Sequence, residues 1–289
     1  GVPCDRIVLA EEAHPMIYAE ARYRPLGDLY LTVEFGDELS LPLNFRVIAL
    51  DSALKARRLP GVTETIPTNR SLGIVYDPLT VSRQELVAQL QALEGEVQEI
   101  DALPSRHVTL PIWYDDPWSR ECAAAHGAPN NVEFLAGINA MTAAEVIRTH
   151  SGTDHWVSAV GFTPACYQAM PLDPSKALTA PKYQRPRRWT PERILCIAGQ
   201  LTSFYPIASP GGYQLLGRTP VELYDPKQRN PAFADGPVLP RVGDRHRYVP
   251  IDEATYWEIR REVEAGVYRY QIREETFRLR DYLARSRDA

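Results

Sequence analysis

The sequence predicts an α+β protein in which a mixed α/β domain is followed by a domain of short β-strands. Two observations lead to this prediction. Apolar residues in the first 113 positions follow helical and strand spacings in turn. From residue 156 onward, short apolar runs are broken by proline and glycine, a pattern that is typical of a β-barrel or sandwich. A chain of 289 residues is long enough for two modest domains.

The elements of the first domain can be taken in order. Residues 28–35 alternate between apolar and polar and predict a half-buried strand, and residues 43–57 carry apolar positions at helical spacing. Residues 62–66 and 72–76 predict two strands, since Pro67 and Asn69 mark a turn between them. Ser82 and Glu85 form a capping box that opens a second helix, and residues 108–113 predict a last strand. This order predicts a ferredoxin-like α+β domain over residues 1–113.

The rest of the chain divides into three predicted parts. Residues 114–155 predict a helical bridge, because Thr142 and Glu145 form a second capping box whose helix would end at Gly152. Residues 156–250 predict the β domain, with strands at 156–162, 195–199, 213–216 and 221–224. Residues 251–289 predict an extension in which Asp252 caps a helix that Gly266 ends, followed by a strand near 268–272 and a short helix at 277–283.

Composition excludes several classes of function. The net charge of −5 gives no electrostatic basis for binding nucleic acid, and no apolar run reaches the length of a membrane span. Four widely spaced cysteines and an N-terminus without a basic-then-apolar segment lead us to expect a cytoplasmic protein with free thiols. No methionine stands next to a lysine as in a biotin attachment site, and no phosphate-binding glycine loop or Ser/Ser/Lys amidase signature occurs.

One turn stands out as a candidate site. The run Ser209-Pro210-Gly211-Gly212 is followed by Tyr213 and a short apolar stretch. Proline fixes φ, and the two glycines are expected to accept a positive φ, so the run predicts a tight turn. Bare N–H groups beside glycines can hold developing negative charge. The alternative is a structural β-turn in an all-β domain.

Residues 209–219 resemble the signature of the KipI-like family, also called allophanate hydrolase subunit 1. That family includes the B subunit of 5-oxoprolinase and half of the carboxyltransferase domain of urea carboxylase. Segments at 23–28, 33–36, 44–47, 70–78, 131–134, 171–174, 181–183 and 272–277 are similar to urea carboxylase in particular. The resemblance implies a cyclophilin-like barrel over residues 156–250. It also implies that the chain is the first half of a biotin-dependent carboxyltransferase.

The resemblance and the turn together give a set of candidate site residues. His150 and Tyr213 are the candidate catalytic residues, and His150 would orient or polarise a carboxyl or ureido oxygen. An alternative for His150 is a favourable position at a helix C-terminus. The candidate residues for binding substrate or biotin are Thr163, Pro164, Lys182, Gln200, Tyr205, Ser209, Gly211, Gly212, Gln214 and Arg218. No metal site is predicted.

Three further interpretations stay open at this point. Arg218 is either a site residue or a core arginine paired with Glu222 or Asp225. Cys166 has no adjacent base, so a buried structural thiol is the favoured interpretation. A basic cluster is either a solvated loop or a cationic rim for bicarbonate-like or carboxylated groups or an acidic partner surface; it consists of Lys182, Arg185, Arg187, Arg188 and Arg193.

The resemblance also implies partners. Carboxybiotin would arrive on a separate carrier protein loaded by a biotin carboxylase, and the cleft would be shared with a KipA-like subunit (allophanate hydrolase subunit 2). The acceptor would be urea or a related small nitrogen compound, and the base that deprotonates it is expected on the partner. Two alternatives are the B subunit of an ATP-dependent 5-oxoprolinase and a KipI-like inhibitor of a histidine kinase.

Overall fold

The computed structural model describes residues 16–97 and 100–287. The chain forms two compact units, one up to residue 99 and one from residue 100 onward. This boundary precedes the one expected at residue 113. Each unit has its own buried apolar core, so each is described by itself.

The first unit is an antiparallel sheet with two helices. Its strands are β1 (Ile17–Leu26), β2 (Tyr30–Gly36), β3 (Val62–Pro67) and β4 (Ser71–Tyr76), and its helices are α1 (Leu41–Arg57) and α2 (Arg83–Val97). The sheet order is β1-β2-β4-β3. Ser82 and Glu85 form the predicted capping box at the start of α2, since the Ser82 N–H donates to the Glu85 carboxylate at 3.0 Å and the Glu85 N–H to Ser82 Oγ at 3.2 Å. The expected α+β class of this region is confirmed, but its order is strand, strand, helix, strand, strand, helix rather than the predicted ferredoxin-like order.

The strand predicted at residues 108–113 belongs to the second unit instead. It is part of β5 (Ala102–Tyr114), which lies in a separate eight-stranded sheet. In the first sheet, the position beside β2 is occupied by β1, which the sequence did not reveal. A short turn with Gly27 at φ 66° joins β1 to β2, so this pairing is local. The domain boundary expected at residue 113 therefore cuts a strand of the second unit.

The second unit contains a closed seven-stranded barrel. Besides β5, the barrel strands are β6 (Asp154–Val160), β7 (Tyr167–Pro171), β8 (Ile194–Ala198), β9 (Leu201–Tyr205), β10 (Gln214–Arg218) and β11 (Arg245–Pro250), and the unit has one further strand, β12 (Gln271–Arg278). The order β10-β8-β9-β7-β6-β11-β5 closes through a pairing of β10 with β5. The last strand, β12, pairs with the first eight residues of β5. The expected cyclophilin-like barrel class is thus confirmed, although β7, β9 and β11 were not predicted as strands.

Five α-helices accompany the barrel in the described part of this unit. They are α3 (Pro117–Ala125), α4 (Asn131–Ile138), α5 (Ala143–Ser151), α6 (Glu253–Glu264) and α7 (Leu279–Arg287). The capping box of Thr142 and Glu145 and the Asp252 cap are both present as predicted. Residues 221–224, predicted as a strand, form only an isolated bridge from Tyr224 to Val238. In residues 16–97 and 100–287, no helix combines the length and apolar character needed to cross a membrane.

Closure of the barrel depends on a close backbone approach at Gly217. Gly217 pairs with Tyr114, and Arg218 pairs with Trp113. A Cβ atom at Gly217 would lie 2.5 Å from the Trp113 carbonyl oxygen and 2.7 Å from the Tyr114 Cα. Both atoms belong to the backbone and cannot turn away as a side chain can. Only glycine therefore allows β10 and β5 to meet at this point.

We expect Gly217→Ala to lower the free energy of unfolding of the second unit by about 2 kcal/mol, because the added methyl group overpacks the closing strand pair. Urea denaturation followed by tryptophan fluorescence measures this unit selectively, since all five tryptophans lie after residue 100. Gly137→Ala in α4 is the matched control, because a Cβ atom there meets nothing within 4 Å. Equal losses of stability in the two variants would contradict the steric account.

Candidate functional site

The candidate site lies on the outer face of the sheet formed by β7, β9, β8 and β10. Side chains on a strand point alternately to opposite faces. Leu195, Phe204 and Leu216 belong to the core inside the barrel, whereas their neighbours Cys196 and Tyr205 belong to a separate outer cluster. The outer cluster also includes Cys122 of α3, Ile194 and Leu215, with Tyr213 packed against it. The turn at residues 209–213 is therefore part of an outer surface rather than of the barrel interior.

Backbone hydrogen bonds from the preceding loop, residues 183–190, hold this turn. The Arg187 N–H donates to the Gly211 carbonyl at 2.8 Å, and the Gly211 N–H donates to the Arg187 carbonyl at 3.2 Å. The Tyr183 N–H donates to the Gly212 carbonyl at 2.8 Å. The Arg187 side chain adds a bond from Nη1 to the Tyr213 carbonyl at 2.8 Å. The turn is therefore held against this loop by an antiparallel bridge between Arg187 and Gly211.

Gly211 is required for space rather than for a special φ. Neither Gly211 nor Gly212 has a positive φ, contrary to our expectation for the turn. A Cβ atom at Gly211 would instead overlap the Tyr205 hydroxyl group. The same hydroxyl accepts a hydrogen bond from the Tyr213 N–H at 3.3 Å. Gly211 therefore leaves room for the ring that supports the following residue.

Two groups at the turn can donate hydrogen bonds to a ligand. The Gly212 N–H donates no hydrogen bond to any residue that the structure describes. The Tyr213 hydroxyl accepts from Gln168 Nε2 at 3.3 Å, which leaves its own hydrogen available. Burial raises the pKa of Tyr213, so the hydroxyl keeps its proton near neutral pH. The Lys182 ammonium lies 5.2 Å from the centre of the Tyr213 ring and adds a positive charge.

His150 lies inside the barrel, on the other side of the sheet from Tyr213. It is 1% exposed, and its ring stacks on Tyr248 with centroids 5.1 Å apart. Nδ1 is 2.8 Å from the Tyr114 hydroxyl, and Nε2 is 2.9 Å from Thr202 Oγ1. Both ring nitrogens are therefore occupied by protein groups. The structure does not bring the two candidate catalytic residues together.

The donor and acceptor of each hydrogen bond around His150 and His155 can be assigned one after another. His155 Nε2 must donate to the His150 carbonyl at 3.0 Å, since a carbonyl only accepts. The neutral His155 Nδ1 then accepts from the Thr202 hydroxyl at 3.3 Å, and Thr202 accepts from His150 Nε2. His150 Nδ1 is left to accept from Tyr114. Burial lowers the pKa of both imidazoles, that of His155 to about 4, in agreement with two neutral rings.

The other candidate residues divide between this turn and its surroundings. Gln214 is buried and its Nε2 donates to the Pro181 carbonyl at 2.7 Å, next to Lys182. Gln200 is exposed in the turn between β8 and β9, and Thr163 and Pro164 lie in the turn between β6 and β7. Arg218 lies at the far end of β10, 4.4 Å above the Trp118 ring and 3.5 Å from the Glu192 carboxylate. It thus pairs with Glu192 rather than with the expected Glu222 or Asp225.

The basic cluster separates into exposed and buried members. Lys182, Arg185 and Arg188 are exposed, whereas Arg187 and Arg193 are buried. The loop is therefore neither a wholly solvated segment nor a uniform cationic rim. Sequence reasoning also missed Gln168, because β7 carries no clear strand pattern. Cys166 is buried, and burial raises the pKa of its thiol, as expected of a structural cysteine.

The described fold is an α+β unit and a unit with a closed barrel that carries an outer glycine turn. The chain belongs to the carboxyltransferase family of subdomains C and D, whose model matches residues 21–234. It is 30% identical over 276 residues to urea amidolyase of Saccharomyces cerevisiae and 31% identical over 241 residues to the B subunit of 5-oxoprolinase of Bacillus subtilis. The crystal structure of Kluyveromyces lactis urea carboxylase is similar at a TM-score of 0.84 and 26% identity.

These relatives differ in how much of each chain is shared. The match to urea amidolyase covers 90% of this chain but only 15% of that protein. The match to urea carboxylase covers 94% of this chain and 26% of that chain. By contrast, the match to the Bacillus subtilis 5-oxoprolinase subunit covers 80% of this chain and 93% of that subunit. The chain therefore spans a small part of the two large enzymes and most of the small subunit.

We expect Gly211→Ala to destabilise the second unit strongly, since the added methyl group and the Tyr205 hydroxyl would occupy the same space. Gly212→Ala is the matched control, because a Cβ atom there meets nothing closer than 3.8 Å. Urea denaturation monitored by tryptophan fluorescence gives both values. Combining Gly211→Ala with Tyr205→Leu should recover part of the loss, and no recovery would contradict the proposed clash.

We expect the second unit to lose stability as the pH falls from 7 to 5. The pKa of His155 is about 4 when folded and near 6.5 when unfolded, so in this range the unfolded chain binds more protons. The contribution of neutral His155 to the free energy of unfolding is present above pH 6.5, and about 2 kcal/mol of it is lost by pH 5. Urea denaturation across this range measures the slope. His155→Gln should reduce the slope, while the lowered pKa of His150 keeps part of it, and an unchanged slope in that variant would contradict the assignment.

Proposed function

We propose that this chain is the first half of a biotin-dependent carboxyltransferase. It would act with a KipA-like subunit and transfer a carboxyl group from carboxybiotin, held on a separate carrier protein, to urea or a related small nitrogen compound. The observation that carries this proposal is the extent of the similarity to urea carboxylase. A match over 94% of the chain has to include part of the segment 251–289, where β12 completes the sheet beside β5.

The turn at residues 209–213 offers groups that suit a carboxylated ureido ring. A bound carboxybiotin would supply the activated carboxyl group. The Gly212 N–H is free to donate, and the Tyr213 hydroxyl keeps its proton and can donate while it accepts from Gln168. Lys182 adds a nearby positive charge. Fixed donors of this kind stabilise negative charge on oxygen without having to reorganise.

Proton abstraction from the substrate has no evident base at this turn. Residues 209–213 form no hydrogen bond with a carboxylate or imidazole among the described residues, and His150 is neutral and enclosed within the barrel. We therefore propose that the partner supplies the base. His150, together with Thr202 and Tyr114, would contribute to the stability of the barrel rather than contact the substrate.

A second candidate function is that of the B subunit of a 5-oxoprolinase. It is favoured by the match to the Bacillus subtilis protein of that name, which is 31% identical and is covered over 93% of its length. This function would require partner subunits with a phosphorylating role and no biotin. A KipI-like inhibitor of a histidine kinase would instead bind a kinase and need no chemistry at the turn.

Affinity purification with the chain as bait from an extract of its source cells distinguishes these functions. We expect a KipA-like subunit and a biotinylated protein, detected by mass spectrometry and with labelled streptavidin. A KipA-like subunit without a biotinylated protein would favour the 5-oxoprolinase, and a histidine kinase alone would contradict both enzymatic proposals. An unrelated bait of similar charge is the control for nonspecific capture.

The complex that is recovered allows the role of the turn to be tested. We expect Tyr213→Phe to lower kcat for urea-dependent carboxyl transfer by about 10²-fold with little change in KM, because one donor to a charged oxygen is lost. Tyr224→Phe, which alters a tyrosine outside the turn, should leave both constants unchanged. Radiolabelled bicarbonate incorporation measures the rate. An equal effect of the two substitutions would contradict the role assigned to Tyr213.

A further inference from the structure

Arg187 is one of the largest fully buried side chains of the protein, at 1% exposure. Its guanidinium lies 4.5 Å from the centre of the Tyr183 ring and 5.8 Å from that of Tyr205. Nη1 donates to the Tyr213 carbonyl, and Nε donates to Thr190 Oγ1 at 3.2 Å. Nη2 has no hydrogen-bond partner among the described residues. Both N–H groups of Nη2 are therefore without a partner among the described residues.

The other buried arginines of the described chain differ from Arg187 in one respect. Arg106 pairs with the Asp244 carboxylate at 2.6 Å, Arg193 with Glu222 at 3.1 Å, and Arg218 with Glu192 at 3.5 Å. Arg187 forms no ion pair with any carboxylate in residues 16–97 or 100–287. Burial of an unpaired charge is costly, and two aromatic faces offset only part of that cost. The buried positive charge of Arg187 is therefore not neutralised by any described carboxylate.

A second buried polar group without a partner lies in the same turn. Ser209 is 9% exposed, and its Oγ makes no hydrogen bond to the described residues. The Ser209 N–H donates to the Thr190 carbonyl at 3.3 Å, while Thr190 Oγ1 accepts from Arg187. Ser209 and Arg187 therefore both border Thr190. Ser209 Oγ and Arg187 Nη2 are thus two buried groups beside Thr190 that have no hydrogen-bond partner among the described residues.

We propose that Arg187 and Ser209 form a binding site for a small planar oxyanion of the carboxylate or bicarbonate class. The free Nη2 can donate a charge-assisted hydrogen bond to one oxygen of such a group, and a serine hydroxyl can donate to the other. The choice of a carboxylate over other anions rests on the proposed function, in which a carboxyl group is transferred. Tyr183 and Tyr213, which contact the Arg187 side chain, are only partly buried.

Calorimetric unfolding of the purified chain at pH 8 tests this site, with sodium bicarbonate compared against sodium chloride at equal ionic strength. A ligand that binds only the folded state raises the Tm. We expect bicarbonate, and likewise formate, to raise the Tm of the second unit by about 2–4 °C, the shift typical of a modest ligand on a unit of this size. We expect the rise to disappear in Arg187→Met and to persist in Arg188→Met, which removes an exposed arginine from the same loop.

Ser209→Ala tests the anion site even if Arg187→Met fails to fold. In chloride this variant should be at least as stable as the original chain, since it removes a buried hydroxyl that has no partner. In bicarbonate its Tm rise should be at least halved. Equal Tm values in bicarbonate and chloride for the original chain would overturn the proposal, as would loss of the effect in Arg188→Met. The measurement needs no partner or biotin, so its failure is distinguishable from failure of the proposed carboxyl transfer.

Discussion

The alternation of side chains across the barrel strands determines where chemistry can take place in this protein. On β9, Thr202 points into the barrel and Tyr205 points outward, and the two belong to different sets of contacts. The inner set joins His150 to the Tyr114 hydroxyl group and, through Thr202, to His155. The outer set supports a glycine turn with free donors. A histidine and a tyrosine that are both plausible catalysts in the sequence are therefore separated by the sheet itself.

The outer turn depends on one close contact between a tyrosine and a glycine. The Tyr205 hydroxyl occupies the space that a side chain at Gly211 would need, and it accepts from the Tyr213 N–H. Arg187 completes this arrangement with a backbone bridge to Gly211 and a side-chain bond to the Tyr213 carbonyl. The Gly212 N–H donates to none of the residues that the structure describes. Preorganised donors of this kind are expected at sites that bind anionic groups.

Local features were predictable from the sequence, whereas distant pairings were not. The capping boxes at Ser82 and Thr142 were predicted because cap and acceptor lie three residues apart. The partner of β5 was missed because its parallel neighbour, β11, begins more than a hundred residues later. The glycine turn was identified, but the reason for its glycines was steric and became visible only with Tyr205 in place. His150 was assigned to the site from the family resemblance, since the sequence does not reveal which face of a distant strand its side chain meets.

The pairing of β5 has a consequence for synthesis on the ribosome. Residues 102–114 emerge early, yet their neighbours at 245–250 and 271–278 are translated much later. The sheet of the first unit is built from hairpins and nearby segments, so it can form while translation continues. During that interval β5 is an unpaired, largely apolar strand, which is the kind of segment that associates with other chains. We therefore expect the second unit, rather than the first, to need chaperones during synthesis.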